Sequence, residues 1–261
     1  MIDWHIHIGQ WHQIYYEPKD IVTSLKESGT TEFYFSSTSS ERYCKENFAV
    51  QGNTELQKTL PSACELYEFI KKEISIALET AEKLGVKAHP LYWVIPEVHF
   101  ANVVSIRQAM SELPYEGFKL HPRGNVWDLT DKKTEDLAEE IFSYAQENGK
   151  MILIHCGPDL FELPTLFEDY INRYSKVTVQ LAHCRPIEDT LYMLKTYPNT
   201  VCDTAFCPKD VYKAIYKSVF SERVFFGSDF PITHWYENGK TTKYTIDSLI
   251  ENYKKCINDL L

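Results

Sequence analysis

The chain of 261 residues has no C-x-x-C pair, no G-x-G-x-x-G and no apolar run near the ~18 residues of a membrane span. The first absence removes the commonest cysteine motifs for metal or redox chemistry. The second removes the strongest signal for a dinucleotide-binding sheet, and the third leaves no segment to cross a bilayer. Basic residues are also short. Lys and Arg number 27 against 37 Asp and Glu, a net charge of −10 that disfavours a nonspecific nucleic-acid binder, because neutralising phosphates needs a basic surface. The chain enters a strand pattern at once, without the basic and apolar segments of a signal peptide. Low-complexity stretches, linkers and internal repeats beyond a βα rhythm are absent as well.

What remains is material for a sizeable core, with 44% apolar residues and 14% aromatics. Seven cysteines (Cys44, Cys64, Cys156, Cys184, Cys202, Cys207 and Cys256) are odd in number, and several lie in apolar strands, where a reduced thiol packs as a small hydrophobe. These features point to a soluble, reduced, cytoplasmic protein. Short runs rich in Val, Ile, Phe and Tyr, bounded by Gly, Pro or polar turns, predict strands at 2–8, 32–37, 86–94, 116–120, 151–155, 177–182, 200–203 and 223–227. Helical spacing predicts helices at 64–84, 101–112, 132–148, 162–174, 186–196 and 208–219, with one more, 242–260, after the last strand. Eight βα units with chemistry spread over many strand ends favour a (β/α)₈ TIM barrel, a single domain over 1–261. The longest irregular stretch, 38–63, follows the second strand and would sit at the active-site face as a lid or a variable loop.

The strand ends carry the chemistry. Asp3-Trp4-His5-Ile6-His7 closes the first strand, and period-two alternation turns His5 and His7 to one side. The fourth strand ends Lys119-Leu120-His121-Pro122-Arg123, the fifth Ile154-His155-Cys156, and the sixth Ala182-His183-Cys184-Arg185. The eighth ends Gly227-Ser228-Asp229-Phe230-Pro231. In a barrel all of these converge on one mouth. Three or four N/O ligands with an open position suit catalytic Zn²⁺, and also Mn²⁺ or Fe²⁺. Such an ion acidifies water and polarises a substrate oxygen, and Asp229 stands where a carboxylate can take the proton.

On these residues the chain resembles the amidohydrolase superfamily of metal-dependent barrels, most closely its amidohydrolase-related branch of hydrolases, lactonases and aromatic-acid decarboxylases. The matching pieces are Asp3-Trp4-His5-Ile6-His7, Gly117-Phe118-Lys119-Leu120-His121-Pro122, the His155 and His183 strand ends, and Gly227-Ser228-Asp229-Phe230-Pro231. The resemblance implies that His5, His7, His155 and Asp229 are metal ligands. It also implies that His183 acts beside the metal and that Asp229 doubles as base. In two-metal members a strand-four Lys is carboxylated and bridges the metals. One metal is the expectation here, which leaves Lys119 as a positive charge facing substrate.

His121, Arg123 and Arg185 are the further substrate-binding candidates, since Arg forks match carboxylates. His12, His89, His99 and His234 are expected to be surface or core histidines, and Cys156 and Cys184 to turn away from the site. The leading expectation is a hydrolase of a small carboxylated amide, ester or lactone. The alternatives are a non-oxidative decarboxylase on the same residues, a TatD-type nuclease, or a non-catalytic metal-binding barrel. The nuclease would want a strand-four Glu where this chain has Lys119 and His121. The expected partner is a small molecule, without nucleic acid or membrane, and homodimerisation is expected only on base rates.

Overall fold

The computed structural model describes residues 1–42, 60–218, 220–238 and 243–260. Most of the lid expected at 38–63 therefore lies outside the described residues, at 43–59. Among the described residues nine strands form one sheet: β1 (Ile2–Trp11), β2 (Ile14–Tyr16), β3 (Glu32–Ser37), β4 (Lys87–Trp93), β5 (Gly117–Leu120), β6 (Met151–Ile154), β7 (Val179–Leu181), β8 (Thr200–Asp203) and β9 (Val224–Phe225). Their order is β2-β1-β3-β4-β5-β6-β7-β8-β9. Only β2 runs antiparallel, as a hairpin on the end of β1.

The other eight strands are parallel and close on themselves. Trp4 N–H donates to the Phe226 carbonyl at 2.8 Å, His7 N–H to Phe230 at 2.7 Å, and Asp229 N–H to His5 at 2.8 Å. These bonds join β1 to the segment after β9, so the sheet has no open edge there and the fold is a TIM barrel.

Period-two alternation sorts the side chains. Ile6, Ile8, Phe118, Leu120, Ile152, Ile154, Val179 and Leu181 belong to the large core between strands and helices. The opposite face holds a separate small cluster of Leu91, Leu153 and Ala182, with Tyr34 and Met151 against it. At the base Trp4 stacks on Tyr34 (4.3 Å) and Phe225 (4.4 Å), and Tyr34 stacks on His89 (4.4 Å).

Helices form where caps and apolar stripes agree. The helix Ala63–Leu84 starts at a Ser62–Glu65 capping box, the helix Lys132–Asn148 at Asp131, and they end at Gly85 and Gly149. Three expectations need correction. The segment 101–112 is helical only over Ile106–Glu112, after a separate short helix Pro96–Phe100, because Asn102 takes φ +54° and Ser105 caps a fresh start. The segment 162–174 begins with 3₁₀ turns around Pro164, whose missing N–H cannot continue a ladder, and only Glu168–Arg173 is α-helical. Among the described residues two helices follow β9, Ile232–Asn238 and Ile246–Leu260, instead of one. The last of these reaches the barrel through Tyr253, whose hydroxyl donates to Asp3 at 2.8 Å.

Candidate active site

At the mouth His5, His7, His155 and His183 gather around Asp229, and each of these imidazoles has an outer and an inner nitrogen. His5 Nδ1 donates outward to Asp203 (3.1 Å), His7 Nδ1 to the Ser36 carbonyl (3.4 Å), and His183 Nδ1 to the Ala205 carbonyl (2.8 Å). His155 Nε2 lies 3.3 Å from the Glu162 carboxylate. With the ring proton spent on these acceptors, the inner nitrogen of each neutral ring presents a lone pair. The inner atoms then face one another. His183 Nε2 is 3.0 Å from His155 Nδ1, His7 Nε2 is 3.1 Å from Asp229 Oδ1, and His5 Nε2 is 3.3 Å from the same oxygen.

Acceptors aimed at acceptors repel unless a cation lies between them, and outer partners that fix the tautomer are what metal-binding imidazoles use. The donor set therefore fits a divalent ion. The tightest group is His5, His183 and Asp229, whose ligand atoms all lie within 4.8 Å of one another. His7 joins through Asp229 and His155 through His183. The sequence expectation put His155 among the ligands and His183 beside them; the geometry brings His183 nearer to His5 and Asp229.

Burial keeps His7, His155 and His183 in the neutral form that a metal needs. It pushes His7 down to about 4 and His183 down to about 3, and it holds His155 and His121 well below the ordinary range. Burial alone would raise Asp229, but His5 and then His7 outweigh it and hold the carboxyl far below its usual value. Asp203 behaves alike: burial opposes ionisation, His5 overcomes it, and the group falls to about 2. Gln180 Nε2 also donates to Asp203, at 2.7 Å. Gly227 makes this pairing possible, because a Cβ there would lie 2.9 Å from His5 Cβ and 3.2 Å from Asp203 Cβ.

Lys119 projects into the barrel with its ammonium 3.1 Å from His5 Nε2 and over the Trp93 ring. Desolvation lowers it to about 8, against the opposing pull of Asp229 and Asp203. His121 is sandwiched between Trp93 and His155, with centroids 5.4 and 3.8 Å away.

A cavity of about 180 Å³ opens over this cluster, lined by His7, Lys119, His121, His155, His183, Arg185 and Asp229. Its walls add Trp11, Thr38, Glu41, Trp93, Phe206, Ile232 and Tyr236. Such a space admits a small molecule. Arg185 donates through Nε to the Cys156 carbonyl at 3.3 Å and keeps its place on the wall. Arg123 is not among the lining residues: its guanidinium pairs with Asp159 at 2.7 Å and approaches Glu162 at 3.7 Å. His89 and His99 sit away from the cavity, bonded to Glu32 and to the Val104 carbonyl. Cys156 and Cys184 are buried in the large core.

Three acids of this region escaped the sequence reading. Asp203 ends a predicted strand, so the logic that found Asp229 applies to it equally. Glu41 and Glu162 come from single helical turns, Ser39–Arg42 and Leu160–Glu162, which are too short for any periodicity to mark a residue that points inward.

A sequence profile of the amidohydrolase family matches residues 90–241, more than half of the chain. No curated protein matches the sequence. Among solved structures of similar fold, 5-carboxyvanillate decarboxylase from Sphingomonas paucimobilis has 8% identity and a TM-score of 0.55, over 100% of this chain and 98% of that one. Dihydroxybenzoic acid decarboxylase from Polaromonas sp. JS666, solved with bound manganese and the inhibitor 2-nitroresorcinol, has 9% identity and a TM-score of 0.53, over 98% and 96%. A TatD-like protein from Archaeoglobus fulgidus has 13% identity and a TM-score of 0.56, over 98% and 92%. At such identities the likeness is one of fold.

Proposed function

The chain belongs to the amidohydrolase family of enzymes, and from that premise we propose that it is a metal-dependent hydrolase of a small carboxylated amide, ester or lactone. The observation that carries this reading is the set of inner lone pairs on His5, His7, His155 and His183 converging with Asp229. His5, His7, His155 and Asp229 are the ligands in this reading, and the closeness of His183 to His5 and Asp229 supports adding it to them. Zn²⁺ is the first choice for such N/O donors, and Mn²⁺ or Fe²⁺ suit them too. Bound there, the ion supplies Lewis-acid polarisation and lowers the pKa of water.

The chain's own groups supply the rest. Asp229 takes the proton of the attacking water and returns it to the leaving group. His183 gives its N–H to Ala205, so its Nε2 acts as a ligand or proton acceptor and not as a donor to a developing oxyanion. Arg185 and Lys119 hold the substrate carboxylate from the cavity wall. Arg123, paired with Asp159 and Glu162, steadies the loop that orients His155.

A decarboxylase is the second reading, favoured by those same two cations beside the metal donors, which suit a carboxylate that itself reacts. The discriminating experiment incubates metal-loaded protein with carboxylated amides, esters, lactones and aromatic acids in ¹⁸O-water. The hydrolase incorporates ¹⁸O into product, whereas CO₂ release without ¹⁸O supports the lyase. No turnover of any of them under any metal loading contradicts both. A reducing, cytoplasmic location is part of this proposal: the described cysteines are all free thiols. Among the described residues no helix is long and apolar enough to cross a membrane.

A further inference from the structure

Glu41 has no part in the chemistry assigned above, yet it lines the cavity with a side chain only 13% exposed. It arrives on the short helix Ser39–Arg42 after β3, and three features hold it there. Its amide donates to the Thr38 carbonyl at 3.0 Å, while Asn125 Nδ2 donates to the Ser40 carbonyl at 3.0 Å and ties this turn to the loop after β5. In that loop a Cβ on Gly124 would lie 2.9 Å from Glu41 Cγ and 2.8 Å from His121 Nδ1. The absent side chain is the room that Glu41 and His121 share. Finally, Gly124 N–H donates to His121 Nδ1 at 2.9 Å, so the proton of that ring sits on Nε2, 3.9 Å from Glu41 Oε2.

A carboxyl group is thus seated in a fitted niche, with an imidazole N–H on one side and the cavity on the other. Arg185 stands on the same cavity wall and brings a positive charge. A substrate whose carboxylate engages Arg185 also meets an acceptor oxygen at Glu41, which a carboxyl offers whether or not it is ionised. We propose that Glu41, seated by His121 and Gly124, is a specificity-determining residue that accepts a hydrogen bond from the substrate, which makes the substrate a carboxylate that also bears an amino, amide N–H or hydroxyl group. The inference rests on the reading of the site as a carboxylate-binding metalloenzyme.

The test titrates metal-loaded protein with benzoate and with its 2-, 3- and 4-hydroxy and amino derivatives, by calorimetry. At least one derivative should bind the wild type about 10–100-fold more tightly than benzoate, the range of a hydrogen bond to a charged group. That preference should fall to near unity in Glu41→Leu, shrink in Glu41→Gln, which keeps one acceptor oxygen, and shrink in Gly124→Ala, which crowds the niche. Thermal unfolding identifies any variant that fails to fold, and Glu41→Gln then carries the comparison. A wild type that binds benzoate but prefers none of the derivatives overturns the inference, as does a folded Glu41→Leu or Glu41→Gln that keeps the full preference. A metal-loaded wild type that binds no carboxylate at all overturns the underlying reading along with it, a result distinct from loss of preference alone.

Discussion

The two ends of the barrel are built on different principles. At the base, Trp4, Tyr34, Phe225 and His89 stack face to face, and Leu91, Leu153 and Ala182 fill the interior above them. At the mouth, Val126 (φ +52°), His183 (+71°), Cys184 (+49°), Phe206 (+50°) and Asp229 (+57°) all take left-handed backbone just past strand ends. Each such residue costs on the order of 1–3 kcal/mol and persists only where its surroundings dictate it. Even one residue type differs between the two ends. His89 at the base rests on a ring and bonds Glu32, whereas His155 and His183 at the mouth point nitrogen at nitrogen. The base stabilises, and the mouth carries the strained backbone and the polar cluster.

The sharpest way to break that contrast is Asp229→Asn, which should lower kcat/KM by more than ~10³-fold by removing both a ligand and the proton acceptor. Steady-state kinetics at fixed metal loading reads this out, and near-wild-type turnover would sink the assignment. At the base, Leu153→Ala should cost about 2–5 kcal/mol in denaturant unfolding while metal stoichiometry stays unchanged. A loss of metal in that variant would mean that the two ends are not separable.

The pH dependence should also differ in sign. Folded His7 takes its proton only near 4, against 6.5 in the unfolded chain, chiefly through burial. As pH falls from 6.5 to 4 the unfolded chain binds a proton that the folded one refuses, so metal-free protein loses up to about 3 kcal/mol of stability through this group. Asp3, behind the site, runs the other way. Burial raises it from 3.8 to about 6, so the folded state keeps its proton longer and stability falls as pH rises through that window. Chemical denaturation at pH 4, 5, 6 and 7 should show the first slope flattened in His7→Asn and the second in Asp3→Asn. Unchanged slopes would mean that neither group is buried as described. The smallest effect is expected from Asp203→Asn, which removes the outer partner of His5 and should weaken metal binding about 10–100-fold. An unchanged metal Kd would make Asp203 a packing residue only.

Much of the barrel is legible in the sequence because a strand buried on both faces reads as a short apolar run, and such runs fall at all eight barrel strands. The β2 hairpin and the late start, at Ile106, of the helix expected over 101–112 are not legible, because one positive φ at Asn102 or a three-residue return strand leaves no periodic trace. At the site, His5, His7, His155, His183 and Asp229 stand out because strand ends converge in a barrel. What stays hidden is which neighbour each one faces. The pairing of Arg123 with Asp159, and the niche for Glu41 at Gly124, depend on loop paths that spacing does not encode.

The most direct test of the central claim is metal per chain, measured by elemental analysis on purified protein beside the His5→Ala/His7→Ala double variant. About one equivalent of Zn, Mn or Fe in the wild type, lost in the variant, is the predicted result. No metal in the wild type, even after reconstitution with each of these ions, would contradict the account.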